Sequence, residues 1–527
     1  MPRFRTAAAA TLLVVPIVAG GFLLQEPPVR ANVTLFDQVR SIIERQYVDS
    51  VGTAATFEKA ARGLVRELND PYSELLSPKQ SEDFNRSTGG RYGGTGMLIG
   101  EPSRGVIVVD RVFPNTPAEE AGVREGDRIL SVDNNSTDTL QIGQVSELLR
   151  GLPRSQVAVT FARPGVMERL KFTFTRRQVR VPAVAYTGLF SGDVGYIPLQ
   201  TFNENTADEV RDAVEQLTKQ GAKGLVLDMR DNGGGIVEQA LEMTSLFLRE
   251  GQEIASVRSR NQASEVLRSA GPHLALTVPL VVLVDGGSAS ATEIVAGALQ
   301  DHDRALVIGS NSFGKGLVQS VFPLSGGYHL KITTGKWYTP SGRSIHRERK
   351  LMPNGSFVEV HPDSVKGDGE RPLFKSDGGR IVYGGGGIRP DLLVADDTLA
   401  TIERDFIRAS ATQIQAINTA LQDYALELKG TVSKDFTVPD SWTPELMRRL
   451  EAAKVKIDPK YDATARAFLT RDLANRVTRL TFGDAAAKER TLANDRQLVR
   501  AIELLKHAST QSQLLAATAT APAPGRK

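Results

Sequence analysis

Cysteine is absent from the 527-residue chain. That excludes disulfides, a thiol nucleophile and a cysteine-ligated zinc site. Histidine is scarce at six residues, and no H-E-x-x-H or paired-histidine spacing occurs, so metal-dependent hydrolysis has no support. His302 reads as part of a polar loop, His346 and His361 fall in a long polar insertion, and His507 lies in a helical tail. A Ser-His-Asp triad is therefore unsupported. Neither charge sign dominates, because 64 basic and 61 acidic residues leave a formal charge of +3. There is no Lys/Arg-rich run either, so nucleic acid is not expected as a partner. Nothing points to a metal or another cofactor.

The N-terminus is apolar. Met1–Arg5 carry two arginines, and Thr6 to Leu24 is uncharged. A basic start before an apolar run reads as an export signal. The run is just long enough to span a bilayer, although Pro16 interrupts it. Residues 1–32 are thus a cleaved signal or a retained inner-membrane anchor, and either sends the chain to the bacterial periplasm or cell envelope.

The length suggests two to four domains. Residues 33–88 carry helical periodicity, with Phe57, Ala60, Ala61, Leu64 and Leu68 on one face. Residues 89–180 hold short β-rich runs, a Gly-rich loop and one short helix. This module resembles a PDZ domain through Gly93–Gly96, Pro117-Ala118, Ala121-Gly122 and Gly126-Asp127. Such domains add a peptide strand to a sheet edge and hold its terminal carboxylate on loop N–H groups. The resemblance places that role on Gly94, Thr95, Gly96, Met97 and Leu98. From residue 181 to 395 strands and helices alternate, with glycine-rich strand ends at Asn232–Gly235 and Gly286–Ser290. Such strand ends are where α/β sheets place their sites. Residues 396–515 read as helices, and 516–527 as a disordered tail. The fold class is multidomain α/β: an α/β core with an inserted β-barrel-like PDZ module, N-terminal helices and a C-terminal helical extension.

The stretch "RALVIGSNSFGKGLVQSVFPL" contains Gly309, Gly314 and Lys315 in a near match to a phosphate-binding loop. That loop needs Ser or Thr after the lysine and a helix starting there. Gly316 follows instead, and the alternation through Val318, Ser320 and Phe322 reads as a strand. Lys315 therefore needs another role. Ser290 offers one, since it stands where a strand gives way to a helix. Helix N-termini favour developing negative charge, and a neighbouring N–H can hold an oxyanion. Read alone, Ser288 and Ser290 would be helix caps.

Together these residues resemble a family. "GSASATEIVAGALQDHDRALVIGSNSFGKGLVQSVFPL" is similar to the active-site segment of the carboxyl-terminal processing peptidases, or tail-specific proteases. Their pattern is S-A-S-A-[ST]-E, then F-G-K-G, then a glutamine four residues after the lysine. Ser290, Lys315 and Gln319 fit it, and "LDMRDNGGG", "ITTGKWYTPSGRSI" and "YGGGGIRPD" also match. One departure is Gly233, where many relatives have proline. The resemblance implies an exported serine endopeptidase that cleaves proteins near their C-termini. Ser290 would be the nucleophile, Lys315 the general base and Gln319 its orienter. Ala291 and a glycine of the turn, Gly235, would form the oxyanion hole. A base near neutrality needs a lysine about 2–3 pH units below its usual value. Expected partners are protein substrates with free apolar C-termini, with a homo-oligomer left open. The rival is a non-catalytic PDZ scaffold on a degenerate protease core.

Overall fold

The computed structural model describes residues 28–103, 105–163, 166–260, 262–352, 357–359, 371–396 and 399–519. The export segment up to residue 27, the 360–370 part of the polar insertion with His361, and the tail from 520 lie outside them. Among the described residues no helix is long and apolar enough to cross a membrane. The chain forms two compact units, one holding residues up to Ser77 with Val321–Ile332 and Lys350–Val358, the other holding the rest.

In the first unit, α1 (Pro28–Gln46) and α2 (Thr53–Arg66) precede β1 (Glu74–Leu76), which pairs antiparallel with His329–Lys331. Arg62 ties α2 to β1 by donating to Leu75 O at 2.8 Å. The face of α2 expected from periodicity is not a core face, because Phe57, Leu64 and Leu68 stay exposed. On α1, Val33, Leu35, Phe36, Val39 and Ile42 are also exposed.

The second unit begins with the PDZ-like module. Its strands β3 (Met97–Ser103), β4 (Val106–Val112), β5 (Arg128–Val132), β6 (Gln156–Ala162) and β7 (Leu170–Thr175) form an open antiparallel path in that order. The helix α3 (Ile142–Leu149) lies between β5 and β6 in sequence. β2 (Arg91–Gly94) pairs with β8 (Arg177–Arg180) and closes the module's two ends. Alternate residues Ile107, Val109, Ile129, Val157, Val159 and Phe161 fill its core.

A six-stranded sheet follows. Its order is β9 (Gly188–Phe190), β10 (Val194–Pro198), β11 (Gly224–Asp228), β12 (Leu280–Val284), β13 (Leu306–Gly309) and β16 (Leu392–Leu393). All neighbours after β9 are parallel. Strands β10 to β13 are buried along their whole length, as parallel strands are when both faces are covered. One face takes α4 (Thr206–Lys219), α5 (Val237–Ser245) and α6 (Ala291–Asp301). The antiparallel strands β14 (Leu317–Pro323) and β15 (His329–Tyr338) fall between β13 and β16 in the chain.

The C-terminal extension comprises α7 (Thr401–Ala409), α8 (Ile414–Leu428), α9 (Trp442–Ala452), α10 (Asp462–Phe482), α11 (Asp484–Thr491), α12 (Arg496–Lys506) and α13 (Gln511–Ala519). The sequence division at 395 treats it as an appendage. Yet Leu498, Ala501, Ile502 and Leu505 of α12 and Leu514 of α13 cover the sheet's second face against Tyr196, Val226, Val281 and Ile308. α13 continues helically through Ala519, into the segment expected to be a disordered tail.

Candidate active site

Two parallel strands end side by side, β11 at Asp228 and β12 at Val284. The turns that follow are stitched together. Asp285 Oδ1 accepts the N–H of Asp231 at 2.9 Å and of Gly287 at 3.0 Å. Ser288 donates its hydroxyl to Met229 O at 2.8 Å. The buried Asn232 accepts at its carbonyl from Ala289 N at 3.0 Å and Thr292 Oγ1 at 2.8 Å. Its side chain donates to Leu199 O and accepts from Gly234 N, both at 2.9 Å.

Ser290 sits at the N-cap position of α6 with φ 58° and ψ −117°. A positive φ in a non-glycine residue is strained and persists where the surroundings over-determine it. Ser290 is half-buried, and Glu293 accepts its backbone N–H at 2.9 Å as in a capping box. Gly234, at φ +94°, packs so closely that a Cβ there would meet Ala289 O at 2.7 Å and Ser290 Cβ at 3.0 Å. Among the described residues neither the Ala291 nor the Gly235 N–H has an acceptor. The Gly234 N–H is taken by Asn232.

Lys315 lies in a loop with a strand after it, β14, which removes the phosphate-loop geometry. The glycines of that stretch serve close packing. A Cβ on Gly309 would strike Val284 O at 1.9 Å, one on Gly314 would meet Arg347 Cβ at 2.8 Å, and one on Gly316 would meet His346 at 3.0 Å. Phe313 N donates to Ser288 O at 2.9 Å, joining the lysine loop to the serine turn. The Arg349 guanidinium lies 3.8 Å over the Phe313 ring. Lys315 O accepts from Trp337 Nε1 at 3.1 Å. Gln319, on β14, donates to Thr333 Oγ1 at 3.4 Å.

Glu293 joins the two segments. Its Oε2 accepts the backbone N–H of Ser290 at 2.9 Å and of Lys315 at 2.8 Å. Its Oε1 accepts from Ser312 Oγ at 2.5 Å and Gly314 N at 2.7 Å. The side chain is only 1% exposed. Burial pushes its carboxyl above the usual range, against the pull of these four donors. The sequence pattern contained this glutamate, but its partners twenty residues on could not be read from spacing. His346 was also misplaced, because Ile345 beside it is buried and His346 itself packs on Gly316 rather than lying in a polar insertion. Burial, then the Lys336 charge, lowers its imidazole below the ordinary value.

The PDZ-like loop is held by its carbonyls. Thr95 O accepts from Ala118 N and Gly96 O from Phe113 N, both at 2.9 Å. Gly96 has φ +91° and lies against Thr116. β3 begins directly after and is an edge strand of its sheet, with Met97 buried and Leu98 48% exposed.

Residues 193–363 match the description of peptidase family S41, and residues 108–163 that of a PDZ domain. The chain is 38% identical over 339 residues to the carboxy-terminal-processing protease of Bartonella bacilliformis, covering 63% of this chain and 76% of that protein. It is 32% identical over 346 residues to a carboxy-terminal processing protease of Bacillus subtilis, covering 65% and 73%. A solved structure, the photosystem II D1 C-terminal processing protease, is 32% identical and covers 59% of this chain and 90% of that one, with a TM-score of 0.36.

Proposed function

This chain belongs to the carboxyl-terminal processing proteases, serine-type peptidases acting on protein substrates, and on that premise we propose that Ser290 is its nucleophile and Lys315 its general base. One observation carries the pairing: a single carboxylate oxygen accepts the backbone N–H of both residues. In the reaction, Lys315 Nζ takes the Ser290 hydroxyl proton as Oγ attacks the scissile carbonyl. The oxyanion is received by the N–H groups of Ala291 and Gly235. Lys315 then gives the proton to the leaving amine. A water deprotonated by the same lysine cleaves the acyl-enzyme.

The lysine must be neutral to act as the base. Gln319, four residues after Lys315, would contribute its amide as the orienting group. Replacing Ser290 or Lys315 by Ala should abolish turnover of an unstructured protein. Lys315→Arg should fail too, because arginine does not shed its proton. Near-native kcat in Lys315→Arg overturns the assignment.

The PDZ domain captures the free C-terminus of the substrate. An edge strand preceded by the Gly94–Gly96 loop is suited to receive an added peptide strand and its carboxylate. The exposed Leu98 beside the buried Met97 supports a preference for apolar final residues. A reporter substrate with an amidated or Asp-terminated end should show raised KM relative to the free apolar end. Equal kcat/KM for all three would remove the tail-reading role. Export is supported by the basic-then-apolar N-terminus, as a cleaved signal or an inner-membrane anchor. The exposed apolar residues of α1 support a homo-oligomer.

A further inference from the structure

We propose that Glu293 is the residue that positions the nucleophile against its base, a role that rests on reading Ser290 and Lys315 as that pair. A glutamate at the third position of a helix commonly caps by accepting one N–H from the N-cap residue. Glu293 does that for Ser290, but its other three donors belong to a different segment, residues 312–315. The serine turn follows β12, whereas the lysine loop follows β13. The carboxylate is therefore a cross-link between the two turns that carry the reacting groups, and it is carried on a rigid helix.

The hydrogen bonding leaves one chemical form that fits. Three of the donors are backbone N–H groups with no alternative role. The fourth is Ser312, whose Oγ accepts the Ile388 N–H at 2.6 Å and donates its proton to Glu293 Oε1 at 2.5 Å. Each carboxylate oxygen receives two donors. A side-chain amide would satisfy one oxygen position and place its own N–H hydrogens against donors at the other, whichever way it turned. The contact between the two turns would open on one side. Burial makes such a mismatch costly, because no water is at hand to relieve it. Glu293 touches no reacting atom, and it acts through the backbone of Ser290 and Lys315.

The test is Glu293→Gln, which keeps shape and removes charge, measured beside Ser290→Ala and Lys315→Ala on one unstructured substrate. The expected result is kcat lower by about a hundredfold with KM unchanged, as for a small misplacement of reacting groups. Glu293→Asp, which restores the charge with a shorter reach, should recover part of that loss. If Ser290→Ala or Lys315→Ala keeps turnover, the dyad itself is wrong. If both abolish turnover while Glu293→Gln keeps wild-type kcat, or loses only in KM, the positioning role alone is overturned. Should Glu293→Gln fail to fold by circular dichroism, Ser312→Ala decides. Removing that hydroxyl also strands the buried Ile388 N–H, so the unfolding temperature should fall somewhat, while the folded variant should show kcat lower by about tenfold with KM unchanged; wild-type kcat there overturns the proposal.

Discussion

Gly233 and Gly234 are neighbours in one turn, yet the turn asks different things of them. A Cβ on Gly234 would meet Ala289 O, Ala291 N and Ser290 Cβ at 2.7 to 3.0 Å, with φ at +94°. A Cβ on Gly233 would meet nothing within 4 Å. Gly234→Ala should therefore cost about 1–3 kcal/mol of stability and displace Ser290, lowering kcat. Gly233→Ala should leave both near wild type. Urea unfolding and steady-state kinetics on the two variants check this, and equal effects would contradict the packing. Ser290 and Lys315 could be proposed from the sequence because their motifs are local: a serine at a strand end, and a lysine between glycines before a strand. Glu293 was visible as a letter but not as a cross-link, since its partners belong to another turn. His346 was misread because the polar letters around it conceal the burial of Arg343 and Ile345.

At the scale of elements, period-two alternation after Lys315 correctly favoured a strand over a helix, and the alternating βα pattern pointed to an α/β core, whose sheet is parallel after its first strand. The second cover of that sheet was not legible. Strands buried on both faces need two layers, but nothing local says that the second comes from residues beyond 495. The structure joins α12 to the site edge through charge. Arg230, just past β11, donates to Asp228 at 2.8 Å and to Asp495, the N-cap of α12, at 2.8 and 2.9 Å. Lys488 reaches Asp495 at 2.6 Å. Burial alone would raise the Asp495 carboxyl, but Arg230 and then Lys488 outweigh it and hold it well below the usual range. A carboxyl depressed in the folded state adds stability that is fully present above its unfolded value, near about 3.9, and is lost as pH falls through the folded value. Asp495→Asn keeps a good cap and removes the charge. The stability gap between wild type and Asp495→Asn should be widest at neutral pH and shrink below about pH 4. Denaturant midpoints measured down the pH scale check this, and a gap independent of pH would sink the account.

The extension that covers the peptidase sheet also touches the PDZ domain, so one set of helices serves both. Leu426 of α8 packs where a Cβ on Gly126 would meet it at 2.6 Å. Burial raises the carboxyls of Asp110 and Glu125 in the PDZ domain, and Arg479 of α10 pulls both the other way. Arg111 on β4 pairs with Asp484 at the start of α11 at 2.6 Å. Four residues on, the same helix supplies Lys488 to Asp495, which also pairs with Arg230 just past β11. The Arg111–Asp484 pair is about a quarter exposed on each side, so its removal should cost little global stability, on the order of 1 kcal/mol or less. Its local effect should be larger, because it is a direct tie between two folded bodies. Asp484→Ala should speed amide hydrogen exchange in β4 and in α11 together, while exchange in the sheet strands β10 to β12 stays at wild-type rates. Arg111→Ala should reproduce the same pattern, and the double variant should add nothing further, as expected when both changes break one contact. Faster exchange in β4 alone would mean that the extension does not hold the PDZ domain through this pair.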